Sequence, residues 1–304
     1  MCGHQGWKAL RFSTLQCNIF LYIFTLSACC LCSFKRIQMF ELITPWLPYL
    51  ALGCIAGLLA GLLGVGGGLI IVPVLALLFQ HLGIGGDKLM QLALGTSLAT
   101  IIATSLSSIA AHQRHGNVLW PILKALTPGI IIGVLCGSWL ADQINSDTLR
   151  FGFAIFVLIV ASQMLLGLQP SSQRQPPGRI GLGGAGSIIG LVSSLVGIGG
   201  GTLTTPFLLW HNITLRQAIG TSAACGLPIA VFGSLGYLLV GLDANQLPAN
   251  SSGYIYWPAF FGIITTSIMF APLGAWLTGI LPVAVLKKVF ALVLVAVAVR
   301  LLVS

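Results

Sequence analysis

Long apolar runs separated by short polar stretches dominate the chain. After residue 45 the runs fall at about 46–64, 69–80, 92–111, 119–141 and 149–168, and resume at about 181–197, 202–210, 217–241, 255–280 and 284–303. Most have the ~20 residues a helix needs to cross the hydrocarbon of a bilayer. The runs at about 69–80 and 202–210 are too short for that, and each directly follows a cluster of glycines. Between the two sets lies a polar linker, Gln169 to Arg179, containing Ser171, Ser172, Pro176 and Pro177. The pattern predicts an all-α polytopic membrane protein.

Composition narrows this further. Hydrophobic residues make up 57% of the chain and charged residues 6%, against roughly 25% charged in soluble domains. Mean hydropathy is +1.01. Such a chain cannot cover a water-exposed surface, which excludes soluble enzymes, coiled coils, disordered proteins and disulfide-stapled secreted domains. The lipid bilayer is therefore its first partner, in the cell (inner or plasma) membrane. The net charge of +9 does not point to nucleic acid, because the basic residues are scattered between apolar runs. They read instead as markers of cytoplasmic loops. Cys54, Cys136 and Cys225 sit inside apolar runs as small packing residues, Cys29, Cys30 and Cys32 cluster near the amino end, and no Cys spacing suggests a metal or a disulfide framework.

Five runs, a linker and five runs form an internal duplication. Gly64-Val-Gly-Gly-Gly68-Leu-Ile-Ile-Val-Pro73 aligns with Gly197-Ile-Gly-Gly-Gly201-Thr-Leu-Thr-Thr-Pro206. Gly95-Thr96-Ser97 aligns with Gly220-Thr221-Ser222, Trp120-Pro121 with Trp257-Pro258, and Gly137-Ser-Trp139-Leu140 with Gly274-Ala-Trp276-Leu277. The expected organisation is an amino-terminal extension (1–38), repeat 1 (39–168), a cytoplasmic linker (169–180) and repeat 2 (181–304), each repeat with about four to five helical segments.

With the linker placed inside, Arg114, Lys124, Arg174, Arg179, Arg216, Lys287 and Lys288 also fall inside. Lys88, Arg150 and Arg300 fall outside, together with a loop at 242–254 that holds no Lys or Arg. Equivalent loops then lie on opposite faces, so inverted repeats are expected, with glycine-broken or re-entrant helices. Lys35 and Arg36 fit this assignment poorly. Three readings of the extension stand: an extra span or signal-anchor over 15–34, a lipoprotein-like processing site at Leu26-Ser27-Ala28-Cys29, and a true start at Met39.

The glycine runs carry the candidate chemistry. Three adjacent glycines cost ~1 kcal/mol each relative to Ala in a helix, so Gly64–Gly68 and Gly197–Gly201 should unwind. Broken backbone within a bilayer is tolerated only where it is buried in protein or lines a wet cavity. The next helix should begin near Leu69 or Thr202, with Pro73 or Pro206 near its first turn. Its free N–H groups and positive dipole end would face the break, which suits an anion. The predicted binding residues are Gly66, Gly67, Gly68, Thr96, Ser97, Gly199, Gly200, Gly201, Thr202, Thr205, Thr221 and Ser222. Gly64, Pro73, Gly197 and Pro206 are the structural break positions.

Each candidate has a plainer counterpart. Gly53, Gly57 and Gly61, like Gly186, Gly190 and Ser194, recur every fourth residue and read as helix-packing faces. Thr202 and Thr205 share a helix face, yet threonine also bonds back to its own helix carbonyls. Trp139 and Trp276 read as interfacial anchors. His112, Arg114 and His115 flank a predicted cytoplasmic loop.

Asp87, Asp142, Asp147 and Asp243 all fall near run ends or in loops. The sequence therefore offers no evident intramembrane carboxylate for a proton relay, and no metal or cofactor site. It also offers no base for a buried serine, so no catalytic residue is assigned and no enzyme is expected. The glycine runs are not nucleotide loops, since no Lys-Ser/Thr follows them.

The paired Gly-x-Gly-Gly-Gly-x-x-x-x-Pro motifs, each followed by Gly-Thr-Ser, resemble those of the sulfite exporter TauE/SafE family of membrane permeases, over roughly 46–303. The resemblance implies a multi-span carrier of sulfur-containing anions such as sulfite or sulfonates. It carries over to Gly64, Gly66, Gly67, Gly68, Pro73, Gly197, Gly199, Gly200, Gly201 and Pro206. The expected function is thus a permease or exporter of small anions, working by alternating access around a midplane site between the two breaks. Two other readings are an anion channel or facilitator, and a non-transporting membrane assembly factor. A homo-oligomer is compatible with the sequence.

Overall fold

A computed structural model describes residues 46–63, 67–166, 177–244, 247–277 and 283–303. The extension 1–38 and most of the linker lie outside these residues. Chain contacts set a boundary before Pro48, and the architecture below is that of the compact unit Pro48–Ser304.

The first repeat consists of α1 (Leu47–Leu63), α2 (Gly68–His81), α3 (Leu89–Arg114), α4 (Trp120–Gln143) and α5 (Ser146–Leu166). The second consists of α6 (Arg179–Val196), α7 (Gly201–Trp210), α8 (Leu215–Val240), α9 (Trp257–Leu277) and α10 (Val283–Val303). A two-stranded ribbon, β1 (Ser251–Ser252) with β2 (Ile255–Tyr256), precedes α9. Among the described residues five helical stretches, those of α3, α4, α5, α6 and α8, are long and apolar enough to cross a membrane. Outward-facing Leu106, Ile132, Trp139, Leu166, Ile188 and Leu239 give them the apolar exterior a bilayer requires. This is a polytopic all-α membrane protein.

The duplication reappears as exchanged contacts. Gly53 on α1 abuts Ile263 on α9, and its counterpart Gly186 on α6 abuts Leu126 on α4, the counterpart of Ile263. One turn on, a Cβ added at Gly57 would lie 2.5 Å from the Ser267 carbonyl oxygen, and one added at Gly190 would lie 2.5 Å from that of Ile130. These glycines are packing faces, where only a missing side chain lets the backbones approach. The same pairs fix direction: α1 runs parallel to α9, and α6 parallel to α4.

The two 26-residue helices, α3 and α8, pack as an antiparallel pair. Gly95 meets Tyr237, Leu98 meets Gly233, and Ser105 meets Gly226. Each of these helices is ~39 Å long at 1.5 Å per residue, enough to traverse the hydrocarbon and its interfaces.

In the first repeat the chain enters and leaves at one end. The ring of Tyr256, just before α9, packs edge-on against Tyr49 near the start of α1 and Phe79 near the end of α2, with centroids 6.3 and 5.6 Å apart. Thus the start of α1 and the end of α2 lie beside the same ring.

Candidate functional site

Both glycine runs interrupt helix. The first α-helix stops at Leu63 and α2 starts at Gly68, with Gly67 left-handed at φ 72°. Gly64 and Gly66 lie outside the described residues. The Gly67 carbonyl accepts from the N–H groups of Ile70 and Ile71, both at 3.1 Å. In the second repeat α6 ends at Val196, and Gly197 turns the chain at φ 67°. Gly197 N–H donates to Ser194 O at 3.3 Å and Ile198 N–H to Ser193 O at 3.1 Å, which satisfies the last carbonyls of α6. Gly200 then caps α7, where Thr204 N–H is the first to return to the backbone, reaching Gly200 O at 2.9 Å. The first N–H groups of α2 and α7 have no acceptor within their own helices.

The helices start at Gly68 and Gly201, one residue earlier than the sequence suggested. Pro73 and Pro206 are each the sixth helical residue and so lie within the second turn rather than the first. Each lacks the N–H that would have bonded to the carbonyl of Leu69 or Thr202.

The two breaks touch. A Cβ on Gly68 would sit 2.8 Å from Gly197 O and 3.0 Å from Ile198 Cα. Ser97, on α3, donates its hydroxyl to Gly197 O at 2.9 Å. Leu94 and Val72 close around Gly197, while Gly200 rests on α8 between the Ser222 carbonyl and Gly226, beside Cys225. Both breaks therefore lie against the central parts of α3 and α8. Gly199 and Gly201 are buried in the same place.

The hydroxyls divide into two groups. Thr205 and Ser222 lie 2.8 Å apart, and Ser222 also donates to Ile219 O at 2.9 Å, so Thr205 is the donor between them. Both protons are engaged within the protein. By contrast Thr202 Oγ1, Thr204 Oγ1 and Ser193 Oγ are buried and have no hydrogen-bond partner among the described residues. Ser193 and Thr204 are fully buried, and the sequence reading passed over both. A Thr-Leu-Thr-Thr run directly after three glycines was the available signal for Thr204. Nothing in the small-residue pattern of α6 singles out Ser193.

Thr96 and Thr221 do something else. Tyr256 N–H donates to Thr96 Oγ1 at 3.0 Å, and Leu119 N–H donates to Thr221 Oγ1 at 3.0 Å. Tyr256 and Leu119 each precede the Trp-Pro of the other repeat. Likewise the Tyr254 carbonyl lies against Gly95, and the Asn117 carbonyl against Gly220. Each long helix is thus crossed near its start by a connecting segment of the opposite repeat. Among the described residues no three His, Cys, Asp or Glu side chains gather as metal ligands.

Among the described residues, five helices long and apolar enough to cross a membrane, with shorter apolar helices packed among them, define a multi-pass membrane protein. The chain belongs to the sulfite exporter TauE/SafE family, whose family model matches residues 49–301. It is 40% identical over 255 residues to a protein of Haemophilus influenzae named "Probable membrane transporter protein", covering 83% of this chain and 96% of that one. It is 30% identical over 236 residues to a probable membrane transporter protein of Methanocaldococcus jannaschii, covering 75% and 82%. A third relative, the probable membrane transporter protein YunE of Bacillus subtilis, is 26% identical over 261 residues, covering 78% and 87%. No solved structure matches the chain.

Proposed function

We propose that this protein carries small anions across the cell (inner or plasma) membrane, with sulfite, organosulfonates and related sulfur oxyanions as the substrate class, and that it works as a transporter rather than an enzyme. The observation that carries the reading is the contact between the two breaks, Gly68 against Gly197 and Ile198. It brings the amino-terminal ends of α2 and α7 to one place, where unpaired N–H groups and two positive dipole ends favour an anion. Thr202 Oγ1, with no partner of its own, adds a hydroxyl on the first turn of α7. The name of the family supports a sulfur oxyanion.

In this reading the repeats are inverted in the membrane. The antiparallel packing of the equivalent helices α3 and α8 supports it, because a two-fold relation between antiparallel helices has its axis perpendicular to them. For helices that cross the bilayer that axis lies in the membrane plane. Rocking one repeat against the other would then open the site to each side in turn.

The test is anion flux in proteoliposomes, comparing sulfite and a small organosulfonate with sulfate, phosphate and chloride, with a pH gradient imposed and removed. Selective, saturable flux of the sulfur anions is expected. Folded protein that moves none of these anions would reject the proposal.

A further inference from the structure

The two segments that cross the long helices are equivalent by repeat, yet their side chains are not. Lys88, at the start of α3, donates to Asp142 Oδ1 at 2.8 Å and to the Asp142 carbonyl at 2.7 Å, at the end of α4. Tyr254, from the segment of the other repeat, donates its hydroxyl to the same Oδ1 at 2.5 Å. The ammonium also lies 5.9 Å from the centre of the Tyr254 ring. Burial and the neighbouring carboxylate push the Tyr254 phenol well above its ordinary pKa, so it remains a donor. The Lys88 and Asp142 side chains are 32% and 22% exposed, and the Tyr254 residue is fully buried.

The cluster joins three pieces: the entrance of α3, the exit of α4, and the turn before α9. Supporting bonds hold the first two in register, with Gln91 Nε2 reaching Ile144 O at 2.8 Å and Met90 N–H reaching Ser146 Oγ at 2.8 Å. The charges nearby in sequence, Asp147 and Arg150, pair with each other at 3.2 Å. Tyr254 also anchors the crossing segment itself, since its N–H donates to Tyr237 O at 3.2 Å. That segment passes directly over Gly95 and Thr96, the two residues before Ser97, whose hydroxyl holds the second break.

The sequence repeat aligns Ile213, Gly279 and Asn117 with Lys88, Asp142 and Tyr254. Those three residues supply neither an ion pair nor an aromatic ring. Equivalent backbone straps cross both long helices, but among the described residues an ionic cluster joins the strap of one alone.

We propose that Lys88, Asp142 and Tyr254 form a latch that holds one mouth of the molecule closed over the glycine breaks, with no counterpart at the other mouth. The latch makes the two access states unequal: the state open on the latch side must separate a half-buried ion pair, while the state open on the other side separates none. This rests on the transport reading only for its consequence, an asymmetric access cycle. The closure itself is a property of the fold.

Cys225 provides a reporter, since it is fully buried on α8 beside Gly200. The experiment uses full-length protein with the remaining cysteines replaced by Ser or Ala, in vesicles of known orientation. A membrane-impermeant methanethiosulfonate is applied to one face at a time. Lys88→Met and Asp142→Asn are each expected to speed Cys225 labelling by up to about fivefold from the latch face only, the range spanned by a partly exposed ion pair. The paired exchange Lys88→Asp with Asp142→Lys is expected to restore protection. Unchanged labelling in both single variants overturns the latch. So does equal acceleration from both faces, which signals general loosening, or a charge exchange no better protected than the single variants. Labelling needs no flux, so a failed latch and a failed transport assignment give separate results.

Discussion

Ser97 donates its hydroxyl to the carbonyl of Gly197 at 2.9 Å, across 100 positions of sequence and from one repeat to the other. The acceptor is the left-handed residue that ends α6 and opens the second break. A side chain of the first repeat therefore sets where the backbone of the second one turns.

Removing that hydroxyl should be felt at the turn. Ser97→Ala leaves a buried carbonyl without this donor, a loss of about 1–3 kcal/mol. Thermal unfolding in detergent should show a lowered midpoint. Anion flux should fall further than stability alone accounts for, because the second break loses its fixed position. A variant with native stability and native flux would mean that the bond is incidental.

The packing glycines should fail in matched pairs. Gly57→Ala and Gly190→Ala each put a Cβ 2.5 Å from a carbonyl oxygen of the facing helix. Each should cost about 1–3 kcal/mol through forced helix separation. Gly152 and Gly183 are also helical glycines, but an added Cβ there meets nothing within 4 Å. Gly152→Ala and Gly183→Ala should be neutral or stabilising by up to ~1 kcal/mol. Yields of monodisperse protein and unfolding midpoints for the four variants check the contrast.

The threonines of α7 should separate by function. Thr202→Val and Thr204→Val remove hydroxyls that have no partner, so stability should hold or rise slightly. If these hydroxyls meet substrate, flux falls while the midpoint does not. Thr205→Val instead breaks the bond to Ser222 and should cost about 1 kcal/mol. Flux unchanged in both Thr202→Val and Thr204→Val would remove these residues from the substrate path.

The crossing segments should respond in an exchanged sense. Thr96→Val deprives Tyr256 N–H of its acceptor, and Thr221→Val deprives Leu119 N–H. Amide hydrogen exchange should accelerate at Tyr256 in the first variant and at Leu119 in the second, in each case on the opposite repeat. Acceleration confined to the mutated helix would contradict the exchange.

Much of the architecture was legible because it depends on local properties. Apolar run length reports on the bilayer, and five runs followed by five report on the repeat. Runs of three glycines weaken helix, and the starts of α2 and α7 were placed to within a residue, although Gly183-Gly184 stay helical within α6. The proline positions were read less well. Their ring blocks one specific bond, and where that bond falls depends on which residue begins the helix. The short helices begin one residue earlier than expected, which moved Pro73 and Pro206 into the second turn.

What the chain alone determined is therefore its class and where its short helices begin, since each follows from the composition of a short window. Tertiary structure decided which side chains the two breaks would meet. Thr96 and Thr221 share a motif with Ser97 and Ser222, yet the first pair holds crossing segments, Ser97 holds a break, and Ser222 holds Thr205. Thr204 and Ser193 keep unpaired hydroxyls, and Lys88 and Asp142 find each other at one end only. Lys88, Ser97 and Thr96 acquire their roles from partners about 50 to 160 positions away, and no local window of sequence contains them.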